Sequence, residues 1–190
     1  MLRDSNAGLP RVSISHRGVD RLRAGHVWVY RSDVVQAENV PPGSVVLVQE
    51  HTSARGKPTS EKTASPTRAR ILGSAFYSSA SEIALRMISP KPIDDINQLV
   101  RERIRAAIAY RERFVRDTNA YRVIFSEGDF LPGLIVDRYN DVLSIQVLTQ
   151  AMNSVSMRET FIDELKLALQ PRAIVERTDA RVRKLEQMCI

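Results

Sequence analysis

The chain has a single cysteine, Cys189, one residue from its end, so no intrachain disulfide can form. Its three histidines, His16, His26 and His51, have no metal-ligand spacing, and no metal site is expected. No apolar run approaches the roughly 18 residues of a membrane span, and the opening MLRDSNAGLP lacks the apolar stretch of a signal peptide, which together point to a cytoplasmic protein. Glycine is sparse: the eight glycines never fall closer than five residues apart. That spacing excludes both the G-x-G-x-x-G turn of dinucleotide-type sites and the P-loop, where backbone must approach a cofactor closely. There is no G-x-S-x-G elbow, the histidines all lie in the first 51 residues, and Cys189 at a chain end is a poor nucleophile, so acyl-transfer chemistry finds no support.

Positive charge is what the chain does have, and it is unevenly placed. Residues 1–92 carry 13 Lys+Arg against 7 Asp+Glu, whereas residues 93–190 carry 15 of each. The whole excess of +6 therefore lies in the first half, as expected if that half meets a polyanion, the plainer reading being a solvated basic surface. Of the 28 basic residues 23 are arginine, whose planar fork suits phosphate and base stacking.

The pattern of apolar residues divides the chain at Pro90-Lys91-Pro92. Residues 1–10 read as a loose leader. Arg11 to Ser15 alternates as a strand, His16 to Arg23 resembles a short helix with Gly25 available for a left-handed cap, and Val27 to Tyr30 is a β-type run. A Pro-Pro-Gly turn at Pro41 to Gly43 leads into Val45 to Val48, and Ile71 to Tyr77 and Ile83 to Ile88 supply two more strands. The intervening 50–70 stretch is too polar to bury itself and reads as a flexible insertion. Five short strands and one helix within residues 11–92 predict a β-barrel-like domain.

Beyond the break, Asp94-Asp95 starts a helix whose apolar positions Ile96, Leu99, Val100, Ile104, Ala107, Ile108 and Phe114 recur to about Arg116. Tyr121 to Ser126, Leu134 to Asp137 and Val142 to Leu148 read as strands, the last two joined at Asn140-Asp141. Ser156 to Glu159 fits a capping box for a helix with Val155, Phe161, Ile162, Leu165 and Leu169 on one face, and Ala173 to Glu176 forms a last strand. Residues 93–190 are thus predicted to form a small α+β layer.

Two groups of residues invite a chemical reading. Glu127, Asp129 and Asp137 could in principle run acid and base chemistry, but nothing fixes their separation, and ion pairing with Arg122 or Arg138 is the simpler expectation. Arg17, Arg21, Arg23, His26, Trp28 and Arg31 interleave cationic forks with one aromatic plane, a mixture that can grip phosphates and stack a base. Arg86 and Lys91 extend that surface. Trp28 has two readings, a core anchor or a stacking plane, because alternation with Val27 and Val29 leaves its face open.

Longer stretches resemble a known family. Gly25-His26-Val27-Trp28-Val29-Tyr30 is similar to the G-H-P-W-V-F stretch in the PUA domain of bacterial large-subunit ribosomal RNA cytosine-5 methyltransferases. GSAFYSSASEIALRM, Gly73 to Met87, resembles that family's strand pair, with Tyr77, Ser81, Ile83 and Arg86 in register. Tyr121-Arg122-Val123 with Glu127 to Tyr139 resembles its central R-x-x-x-x-E-x-D-x-L-P-G-L-x-V-D-x-Y signature, and Glu176 to Glu186 resembles the strand and helix that precede its catalytic domain. The resemblance runs from about Arg11 to Glu186 and departs at the 50–70 insertion, where the family has a short turn.

The resemblance implies an α+β chain: an N-terminal PUA-like β-barrel that docks structured RNA, then a small α/β (EEHEE-type) linking domain that could touch RNA through Arg122 and Arg138. The Rossmann domain that binds S-adenosylmethionine would be absent, so this chain would hold no cofactor and catalyse nothing alone. Its partners would be large-subunit rRNA and the missing C-terminal methyltransferase domain. A stand-alone RNA-binding or ribosome-associated protein, and a protein-interaction module with a basic face, are the alternatives.

Overall fold

A computed structural model describes residues 8–52 and 69–188. The expected leader and insertion lie largely outside those residues, and Cys189 lies outside them.

The first unit consists of β1 (Arg11–Ile14), α1 (His16–Arg23), β2 (Trp28–Tyr30), β3 (Val34–Gln36), β4 (Val45–Glu50), β5 (Ile71–Tyr77) and β6 (Ile83–Ser89). Its six strands are ordered β2-β6-β5-β4-β1-β3, with β1 and β4 parallel and the other neighbours antiparallel. The two edge strands, β2 and β3, are consecutive in the chain and separated only by the 3-10 turn Arg31–Asp33. A sheet whose opposite edges are joined by three residues must curl until those edges meet, which gives the barrel-like shape. Val12, Ile14, Val29, Val46, Val48 and Leu85 point inward, and α1 plugs one side with Val19. The sequence locates α1 well: Ser15 caps it by accepting the Gly18 N–H, and Gly25 takes a left-handed φ of +92° just past its end. It misses β3, a sixth strand of three residues that presents no alternation to read.

Asp95 opens the second unit by accepting from the N–H groups of Asn97 and Gln98 at the start of α2 (Ile96–Phe114). β7 (Ala120–Phe125), β8 (Leu134–Tyr139), β9 (Val142–Val147), α3 (Val155–Leu169), β10 (Ala173–Glu176) and α4 (Ala180–Leu185) follow. The sheet order is β10-β9-β8-β7, antiparallel except for β9 and β10, which α3 connects as a parallel crossover. The helix between strands, α3, follows the third strand and not the second, so the order departs from the EEHEE type. Asn140 turns the β8–β9 hairpin with a φ of +57°, as its position between the strands predicts. Three expectations need correction. Ser154, not Ser156, stands at the N-cap of α3 and its side chain makes no capping bond, so the expected capping box does not form. Val155 is consequently exposed in the first turn, while Met157, Phe161 and Leu165 are buried. Phe114 is also exposed, because α2 buries nothing after Ile108.

The Pro90 to Pro92 break marks a change of sheet but not a gap in packing. Phe76 and Ile88 of the barrel enter the core of the second unit beside Val100, Ile104, Leu131 and Phe161, with Val45 packed against it. Arg105 grips the buried Glu164 with two bonds of 2.6 and 2.9 Å, tying α2 to α3. Gly133, at the head of β8, has a φ of +86° and faces Thr149 so closely that a Cβ would lie 2.4 Å from its side chain. Gly133→Ala is therefore expected to lower stability by roughly 2–4 kcal/mol through backbone strain and overpacking together, read as a lower urea midpoint with an unchanged slope.

Candidate nucleic-acid interface

The ten basic and aromatic residues singled out from the sequence separate into different environments. Arg17 and Arg21, one turn apart on α1, converge on Asp33, with Nε to Oδ1 and Nη1 to Oδ2 distances of 2.7 Å each. Asp33 is 1% exposed, whereas the arginine side chains are 60% and 37% exposed. One buried carboxylate thus fixes two solvent-facing guanidiniums and leaves a local excess of one positive charge. Arg21 also lies over the Tyr30 ring at 5.4 Å. Such a fork, held from behind and open in front, has the form that phosphate oxygens require.

Other members of the cluster are engaged elsewhere. Arg23 faces Asp20 at 3.5 Å and Glu50 at 3.9 Å, so its charge is largely countered. Arg31 donates to the carbonyls of Ser78 and Ser81 and ties the edge-to-edge turn to the β5–β6 loop. Arg86 is mostly buried, 3.3 Å from Glu186 and 3.7 Å from Glu127. Trp28 is not a core anchor: Val29 takes the inward position, and Trp28, half-exposed, donates from Nε1 to Glu127 at 3.1 Å, bridging the two units. Its ring and Arg86 border a cleft of about 360 Å³ between the units. Lys91 is exposed on the break, and His26 lines a separate cleft with Leu22, Val27, Arg103 and Phe130. Arg122 holds Asp137 with two bonds of 2.8 and 3.1 Å, which raises the arginine pKa, and Arg138 donates to the Asn140 carbonyl.

The three carboxylates are structural, but only Asp137 has an expected partner. Asp129 pairs bidentately with Arg111, at 2.5 and 2.7 Å, and Glu127 serves Trp28 and Arg86. Among the described residues, no three His, Cys, Asp or Glu side chains are grouped to hold a metal ion, and no helix is long and apolar enough to cross a membrane.

Arginine is also concentrated on α2 within the balanced second half, although Arg105 and Arg111 are countered by Glu164 and Asp129. Residues 96–116 contain six arginines against two glutamates, a local excess that the sum over residues 93–190 cancels. On this helix Arg103 donates to the Phe130 and Ile88 carbonyls and lies over the Phe130 ring at 5.7 Å. Burial lowers its pKa.

Residues 12–56 match the PUA-like domain family. The chain is 34% identical over 170 residues to Ribosomal RNA large subunit methyltransferase I of Shewanella denitrificans, an alignment covering 87% of this chain and 38% of that protein. It is 31% identical over 157 residues to Ribosomal RNA large subunit methyltransferase of Deinococcus radiodurans, covering 77% and 34% respectively. The chain thus spans a little over a third of the length of these curated relatives. Its fold is shared with a crystal structure of a candidate methyltransferase complexed with SAH, at a TM-score of 0.70 and 16% identity over 92% of this chain and 41% of that one. A candidate SAM-dependent methyltransferase from Streptococcus mutans shares it at a TM-score of 0.68 and 16% identity, over 90% and 41%.

The division of the arginines has a measurable consequence. Arg31→Ala, which strands carbonyls of the β5–β6 loop, is expected to destabilise the chain by roughly 1–3 kcal/mol. Arg17→Ala, which leaves Asp33 with Arg21, should cost less than about 1 kcal/mol. Equilibrium urea unfolding of the two variants checks the order.

Proposed function

We propose that this chain is the RNA-recognition part of a SAM-dependent large-subunit ribosomal RNA methyltransferase acting on cytosine C5, and that it works in the cytoplasm on rRNA. The carrying observation is the Arg17/Arg21 fork on buried Asp33, which lies in the segment that matches the PUA-like domain family. The similarity to proteins named as ribosomal RNA large subunit methyltransferases supports the choice of RNA.

In this reading the fork sets position and orientation by contacting phosphates, while sequence or shape is read elsewhere. Exposed Lys91 adds long-range attraction. Arg86 and Trp28 hold the barrel at a fixed attitude on the second unit, Arg31 braces the barrel's own β5–β6 loop, and Arg122 and Arg138 offer further donors at the β7–β8 side. Methyl transfer, and the S-adenosylmethionine that supplies the methyl group, belong to the remaining length of a protein of the relatives' size. In keeping with this reading, the connection from β9 to α3, residues 148–154, contains no glycine at which a nucleoside could approach the backbone.

Binding of the chain to protein-free large-subunit rRNA at two salt concentrations tests the reading. Wild type is expected to bind with a steep salt dependence. The Arg17→Ala, Arg21→Ala double variant should bind at least tenfold more weakly, with the slope of log affinity against log salt reduced by about 1 to 2. Binding that ignores both salt and the double substitution would sink the proposal.

A further inference from the structure

Five exposed aromatic rings lie on the second unit: Tyr110, Phe114, Phe125, Phe130 and Tyr139. Four of them carry a guanidinium within 6 Å of the ring centre, Arg111 at Tyr110, Arg113 at Phe114, Arg122 at Phe125 and Arg103 at Phe130. Tyr110 and Phe114 also meet each other at 4.6 Å between ring centres. Phe130 and Arg103 stand where two clefts join. One, of about 400 Å³, has His26 and Leu22 at the end of α1 for its far wall. The other, of about 470 Å³, runs between α2 and the 126–130 turn past Tyr110, Arg111 and Phe125.

We propose that this joined cleft is a stacking track for unpaired RNA bases, an inference that rests on the RNA reading above and assigns it a second site. Flat rings offer each base a face without regard to its identity, and the arginines supply the charge that follows a phosphate backbone. The occupant is indicated by Arg103, which lines both clefts and donates to carbonyl oxygens, and by continuity with the basic barrel through His26, while Arg111 on the same wall is countered by Asp129. Arg103 keeps its charge uncompensated by these bonds, since it donates to the carbonyl oxygens of Phe130 and Ile88.

The backbone at Phe130 adds a second argument. Its φ is +57°, a left-handed conformation unfavourable for a bulky side chain, and the ring is nonetheless 63% exposed. Stability alone would place glycine or asparagine there. A strained residue that buries little of its own ring suits one that presents the ring to a ligand.

The test uses the whole chain, a 12-nucleotide oligouridine carrying one 5-iodouridine, and an rRNA hairpin. Tyr110→Ala with Phe125→Ala should weaken oligouridine binding about tenfold or more, from the loss of stacking on two rings. Phe130→Gly should weaken it severalfold without lowering the thermal midpoint, a combination that a merely structural ring would not give. Irradiation should cross-link the oligonucleotide within residues 125–130. The ring variants should leave hairpin binding close to wild type, and the Arg17→Ala, Arg21→Ala variant should chiefly weaken the hairpin. Wild type that binds the hairpin but not oligouridine, or ring variants that bind oligouridine unchanged, would overturn the track and leave the recognition reading in place. Failure of wild type to bind either RNA would overturn both and turn this face over to a protein partner.

Discussion

Phe76 and Ile88 leave the barrel sheet and enter the core of α2, α3 and the second sheet, and a polar seam closes around that apolar contact. At its centre the mostly buried Arg86 faces Glu127 and Glu186, each from a different part of the second unit. Ser78 donates to Glu186 at 2.8 Å, and Gln150 bonds both Ser79 and the Glu186 carbonyl. A guanidinium taken this far from water is tolerable only with its carboxylates in place, and each carboxylate depends on it in return. The seam therefore holds the two sheets as one body, the barrel lending Phe76 and Ile88 to the larger core of the second unit. Because the attitude is fixed, the end of α1 and the middle of α2 can form opposite walls of one cleft.

The elements legible in the sequence are those whose signals are local. Asp95 at the start of α2, Gly25 beyond α1 and Asn140 in the hairpin each act within a few residues, and the structure has them in those roles, whereas Ser15, read as the end of a strand, is the cap of α1. β3 is illegible because three residues on an edge carry no period, and Val155 was misassigned because an apolar residue beside a helix start can face either way. The site follows the same rule. Nothing near Arg17 and Arg31 in the chain distinguishes them, yet Arg17 is presented by a carboxylate 16 residues away and Arg31 is consumed by carbonyls about 50 residues away. The arginines of α2 do not show in the charge balance of residues 93–190, because acids elsewhere in that stretch cancel them.

Two kinds of contact are thus separated in space. The α1 fork offers charge-assisted bonds that would hold an RNA backbone in register, while the aromatic cleft offers flat surfaces that would hold bases drawn out of a helix. A structured RNA with an unpaired segment next to a helical stem would engage both, which suits the recognition of one position within folded ribosomal RNA.

The central claim, that this fixed body presents one joined RNA surface, is tested most directly by hydrogen–deuterium exchange of the chain with and without a large-subunit rRNA fragment that it binds. The account predicts that slowed exchange appears together in residues 16–26 and 125–131, at both walls of the cleft. Protection confined to α3 and β10, on another part of the second unit, or to none of the described residues, would contradict it.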